Sequence, residues 1–128
     1  MKPSASKNLS ANLSLLVLLF ITQGLRADDL LYVYGPECGA CRKFQSEAGA
    51  IYPKTEAAEY MPLIKVTLED WQAGRHPLNA CETKPVYGTP TFLQIADCRE
   101  VDRITGYSNN ELFWFALERM LNRSKGEE

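Results

Sequence analysis

With 128 residues the chain is long enough for one domain and too short for two of ordinary size. Its 16 acidic side chains outnumber 14 Lys and Arg, a balance that argues against nucleic acid or an anionic membrane surface as partner. Four cysteines and a single histidine, His76, carry most of the chemistry available, and all of them lie beyond residue 37.

The N-terminus reads as an export leader. Lys2 and Lys7 form a basic start without acids, residues 13–21 form an apolar run, and Ala27 is the small residue ahead of a cut. That run falls short of the roughly 20 residues a bilayer crossing needs, which disfavours the alternative of an uncleaved membrane anchor. The expected organisation is a cleaved signal peptide over 1–27 and one exported domain over 28–128. Cleavage removes Lys2, Lys7 and Arg26 and no acid, which moves the formal charge from −2 to about −5. Exported proteins meet an oxidising compartment, so each remaining thiol needs a reason to be there.

Residues 30–34 form a continuously apolar run closed by Gly35 and Pro36, as in a strand buried on both faces. The period then changes. Cys41, Phe44, Ala48 and Ile51 recur on one helix face, and Pro53 is expected to interrupt that helix after Tyr52. Residues 55–60 can resume it. Residues 63–68 read as a second strand, and residues 69–85 as an irregular stretch with room for one short helix, broken by Gly74, Pro77 and Pro85. Residues 86–95 turn back into strand, 96–100 form a polar turn, and 101–105 alternate like a half-exposed strand, so an antiparallel hairpin is expected. Ser108 as N-cap and Glu111 at N3 make a capping box for a closing helix with Phe113, Ala116, Leu117, Met120 and Leu121 on one face. Trp71 and Trp114 read as packing residues. Leu112, Trp114 and Phe115 widen the closing helix's stripe beyond one contact surface, and the surplus could dock a partner. The order is strand, helix, strand, loop, hairpin, helix. It describes an α/β domain with a small mixed sheet and helices on both faces.

Cys38 and Cys41 stand where the first strand ends and the first helix begins. Unpaired N–H groups and the helix dipole favour a thiolate there. The thiolate is the nucleophile of disulfide exchange, and Cys-x-x-Cys pairs have lowered thiol pKa values. Cys38 is the expected attacking thiol and Cys41, one turn inward, the resolving one. Alternatives weigh less. A structural bridge over so short a loop contributes little, and a zinc ribbon would need a second Cys-x-x-Cys. Cys81 and Cys98 allow a second disulfide, pinning the irregular loop to the hairpin turn, or two free thiols. His76 joined to Cys38 and Cys41 would make a copper site, whereas a lone loop histidine beside Pro77 is more often simply exposed. Pro90 could be an ordinary strand-start proline.

Cys38-Gly39-Ala40-Cys41 after the first strand, with Gly88-Thr89-Pro90-Thr91 opening the hairpin, resembles the thioredoxin superfamily. The resemblance implies a thioredoxin-like fold, a small mixed four-stranded sheet flanked by helices in the order β-α-β-loop/short helix-β-β-α. It implies a cis Pro90 against the cysteine pair and a substrate strand paired with the backbone of Thr89. A narrower likeness runs through Glu37–Cys41, residues 51–55, Thr89–Phe92, residues 99–107 and residues 112–114, and is to the small periplasmic thioredoxins of bacterial sulfur-oxidation operons. It implies a periplasmic thiol–disulfide oxidoreductase, a reductant of protein disulfides or blocked cysteines that keeps a sulfur-carrier protein active. Its electrons would come from a membrane donor, and it would work as a monomer without a metal or any cofactor beyond the Cys38–Cys41 disulfide. A copper-delivery module and a disulfide oxidase or isomerase on the same fold are the other readings. The chain also departs from the family. Glu37 replaces the usual Trp beside Cys38 at the substrate face, and its carboxylate opposes the thiolate, partly offset by Arg42 and Lys43. Ala40 replaces the usual Pro, and Tyr32 replaces the buried acid of the first strand, the usual proton acceptor for Cys41.

Overall fold

The computed structural model describes residues 27–127. The expected leader, Ala27 apart, lies outside the described residues. Among those described, no helix is long and apolar enough to cross a membrane.

Strand β1 (Asp29–Tyr34) is followed by helix α1 (Gly39–Phe44), which runs on as a π turn over Gln45–Gly49 and a 3-10 turn over Tyr52–Lys54. Helix α2 (Glu56–Tyr60), strand β2 (Leu63–Thr67), helix α3 (Leu68–Gln72) and a 3-10 turn over Pro77–Ala80 come next. Strands β3 (Thr91–Ala96) and β4 (Arg99–Thr105) and helix α4 (Asn110–Lys125) complete the chain. The sheet order is β2-β1-β3-β4, with β1 and β2 parallel and the remaining pairs antiparallel. This is the expected mixed four-stranded sheet of a thioredoxin-like fold.

The alternation of β1 divides the core in two. Leu30 and Tyr32 point to the face that α1, α2 and α4 cover, where Phe44, Tyr52, Met61, Phe92, Phe113, Leu117 and Met120 are buried with them. Leu31 and Val33 point to the other face, closed by Trp71 of α3 and by Val86 of the loop ahead of β3. Phe44 sits at the hub of the first cluster, with the rings of Tyr32, Phe92, Tyr107 and Phe113 each within 5.5 Å of its centroid. Full burial of each such side chain stabilises by roughly 1.5–3 kcal/mol.

Five local expectations change. The π turn adds a residue to the helical period, so Ala48 stays buried while Ile51 rotates outward to 49% exposure and Tyr52 takes the inner position. The irregular stretch holds two short helical pieces rather than one, α3 and the 3-10 turn over Pro77–Ala80. Residues 86–90 are not strand. The Thr91 hydroxyl donates to the Gly88 carbonyl at 2.7 Å, and Gln72 donates to the Val86 carbonyl at 3.0 Å, which draws this segment away from the sheet. The hairpin turn is tighter than expected, just Asp97 and Cys98, both at positive φ as a two-residue hairpin requires. The N-cap of α4 is Asn109, not Ser108. Asn109 Oδ1 accepts the Leu112 N–H at 2.9 Å, whereas the Ser108 carbonyl is drawn to Lys43 Nζ at 2.7 Å.

Candidate active site

Cys38 is the N-cap of α1, and its extended backbone turns its side chain back over the helix end. The Cys41 N–H donates to Cys38 Sγ at 3.1 Å, an interaction that favours negative charge on that sulfur. The two Cα atoms lie 5.1 Å apart, and the sulfurs form a disulfide. Cys38 is half-buried while Cys41 is only 4% exposed, packed with Phe44 in the core. The outer sulfur can therefore meet a partner and the inner one only Cys38. Glu37 is exposed on the turn that precedes Cys38.

Thr89 and Pro90 stand just ahead of β3, beside the end of β1 that leads to Cys38. Their peptide bond is cis, and Pro90 is buried. A β-carbon built on Gly35 would lie 3.3 Å from Thr89 Oγ1 and 3.5 Å from Cys38 Cβ, so the two loops meet across a residue that must be small. Gly106, at φ +82°, donates its N–H to the Pro90 carbonyl at 2.8 Å and ties the loop to the end of β4. Among the described residues, no protein group hydrogen-bonds the backbone of Thr89.

A clamp upstream holds this loop in place. Arg103 on β4 donates to the Lys84 carbonyl at 2.9 Å and to the Pro85 carbonyl at 3.0 Å, while Glu100 accepts the Lys84 N–H at 2.8 Å. The two side chains pair with each other at 2.7 Å. Burial opposes the charge on Glu100, but the hydrogen bonds from Arg103 and Lys84 outweigh it and hold its carboxyl below the usual range. The Cys81–Cys98 disulfide straps the start of the same segment to the hairpin turn. It lies at the far end of the sheet, where Cys81, Cys98 and Asp29 border one cavity.

Two placements were not legible beforehand. Tyr32, in place of the acid, turns its phenol onto the active-site helix and donates to the Cys41 carbonyl at 3.4 Å. Burial, and secondarily Tyr34, pushes this phenol up to about 12, so it stays protonated at physiological pH. Tyr107 donates to Glu47 at 2.7 Å and braces the π turn against the loop after β4. The alternation along residues 30–34 aims Tyr32 at the helix, but only the fold brings its tip to Cys41.

His76 does not join the cysteines. Its Nδ1 accepts the Leu78 N–H at 3.2 Å as the cap of a 3-10 turn, and its ring lies 6.2 Å from that of Trp71, which packs on the opposite face of the sheet from Cys41. The three-donor copper set is therefore not assembled. Among the described residues, no three His, Cys, Asp or Glu side chains cluster to hold a metal.

No described protein family and no curated protein matches the chain. Solved structures do. The periplasmic thioredoxin SoxS of Paracoccus pantotrophus, in its reduced form, is 29% identical over 76% of this chain and 98% of that one, with a TM-score of 0.65. A thioredoxin from Aeropyrum pernix shares the fold, at 20% identity over 75% of this chain and 77% of that one, with a TM-score of 0.50. The chain is thus thioredoxin-like in fold and, by its Cys38–Cys41 disulfide, a thiol–disulfide oxidoreductase.

Proposed function

We propose that the protein is a periplasmic reductant of protein disulfides or blocked cysteines and keeps the cysteine of a sulfur-carrier protein active. The observation that carries this reading is the similarity to a periplasmic thioredoxin over 98% of that protein's length. The leader over 1–27 directs export, and residues 28–128 work as a monomer.

Cys38 thiolate attacks a sulfur of the substrate disulfide, and the departing half leaves as a thiolate. Cys41 then attacks Cys38 Sγ, releases the second substrate thiolate and leaves Cys38–Cys41 oxidised. Thr89 offers its unpaired backbone to the substrate chain, Pro90 shapes the floor of that contact, and Glu37 borders it. A membrane electron donor re-reduces the pair. The reduction potential of Cys38–Cys41, measured by equilibration against glutathione and dithiothreitol, tests the direction. A value near −250 mV or below supports the reductant, and one near −120 mV makes the protein a disulfide donor instead.

A further inference from the structure

Gln94 is fully buried on β3, between Leu30 of β1 and Asp102 of β4 in the sheet register. Its Nε2 is satisfied twice, donating to an Asp28 carboxylate oxygen at 2.9 Å and to the Met120 carbonyl at 3.0 Å. Its Oε1 is equally buried and accepts from no protein group among the described residues. Turning the amide over would set that oxygen against the same two acceptors, so the orientation is fixed. A buried acceptor without a donor costs free energy, and nearly all such groups in folded proteins have a partner. The charged side chains of the neighbouring elements are already engaged. Asp102 is held by Arg119 and Arg123 of α4, and Lys125 by Glu56 of α2. Asp29, next along β1, borders the cavity beside Cys81 and Cys98 instead.

We propose that the buried amide of Gln94 is a binding site for an N-terminal aspartate, which cleavage after Ala27 creates: the new α-ammonium of Asp28 donates to Gln94 Oε1 while its carboxylate keeps Nε2. A leader peptidase hydrolyses the Ala27–Asp28 peptide bond with one water. Ala27 leaves as a carboxylate, Asp28 remains as an ammonium, and the acid's proton reaches the amine through solvent. In the uncut chain Asp28 offers a single N–H fixed by its peptide plane, and that N–H does not satisfy Oε1. The freed amine is no longer held by Ala27 and can swing toward the oxygen. It carries three N–H groups and a charge that strengthens the hydrogen bond, balanced by the carboxylate of the same residue. Amine and carboxylate of one aspartate lie side by side, as do donor and acceptor of one primary amide, so the match has two points. This rests on the leader proposed above, with Ala27 as its last residue.

The test compares three forms of the mature protein by urea unfolding. One begins at Asp28 with a free amine, one carries Ala27 ahead of it, and one is acetylated on the Asp28 amine. The extended and acetylated forms are expected to lose about tenfold in the folding equilibrium constant at pH 7. Gln94→Met should remove the difference among the three. A second reading needs no substitution, should that variant fail to fold. The ammonium gains a partner on folding, so its folded pKa lies above the ordinary α-amine value near 8. The advantage of the free form over the acetylated one is therefore full below pH 8 and shrinks as pH rises through the higher folded value. Equal stability of the three forms, an advantage that alkaline pH leaves unchanged, or one that persists in Gln94→Met overturns the proposal. Because the starts are defined in advance, the forms can prove equal while the leader is still cut after Ala27. The mass of the exported protein, expected to begin at Asp28, tests the leader itself, and any other start overturns both.

Discussion

The two disulfides sit at opposite ends of one small sheet and do opposite things with the same bond. Cys38–Cys41 spans three residues at the closing end of β1, where a backbone N–H is aimed at the outer sulfur and the inner sulfur is buried. Closing so short a loop restrains the unfolded chain little, and all its surroundings bear on the sulfur's charge and access. Cys81–Cys98 spans 17 residues and joins an irregular loop to a two-residue turn. Its loop is long enough for the link to matter to stability. What separates a reactive disulfide from a structural one here is the fold at its ends, since bond and residue type are the same.

That contrast can be broken by substitution. The largest effect is expected from Cys38→Ser, which should abolish reduction of insulin disulfides entirely, while Cys41→Ser accumulates a mixed disulfide visible on a non-reducing gel. The double variant Cys81→Ser/Cys98→Ser should do the reverse. It is expected to lose about 3 kcal/mol of stability in urea unfolding and to keep its insulin-reduction rate. Arg103→Ala sharpens the comparison, because it frees the segment between the strap and Pro90 without touching either disulfide. It leaves the largely buried Glu100 unpaired, so a loss of about 2 kcal/mol is expected, together with a higher KM for a protein disulfide. The smallest effect is from acid. Burial opposes ionisation of Asp102, but Arg119, Arg123 and the Arg103 N–H hold its carboxyl below the usual range, as Arg103 and Lys84 do for Glu100. Both therefore contribute stability above the unfolded carboxylate value near pH 4 and lose it as pH falls through their lower folded values. Thermal melts from pH 6 to pH 3 should show the decline steepening below about pH 4.

The strands and the Cys38–Cys41 pair lay near the surface of the sequence, because they depend on local alternation and on spacing. The state of Cys81 and Cys98 instead stayed open between a bridge and two free thiols until the fold brought them together. The apolar run ending at Gly35-Pro36 could only be a buried strand, and Cys38 just after it had to fall at a helix start. What stayed hidden depends on contacts between distant residues. The π turn that turns Ile51 outward is braced by Tyr107, 60 residues on, and nothing within residues 41–52 announces it. Ser108 and Asn109 are equally good caps by residue type, and Lys43 on α1 decides between them by taking the Ser108 carbonyl. Residues 86–90 look like strand by composition and lose that pairing to Gln72, Thr91 and the Arg103 clamp. Tyr32 was legible as a replacement, but its contact with Cys41 and its place beside Lys65 come only from strand pairing.

Gln94, buried on β3, donates one amide group both to Asp28 at 2.9 Å and to the Met120 carbonyl at 3.0 Å, which pins the start of the domain to the last turns of α4. Farther along that helix, Lys125 reaches Glu56 of α2. The chain thus enters and leaves at the same pole, one strand length of about 20 Å from Cys38. Ala27 and the end of α4 both lie away from the reactive sulfur. A bead, a bilayer or a fused partner could hold the protein by either end and still present the Cys38 face to the surrounding medium.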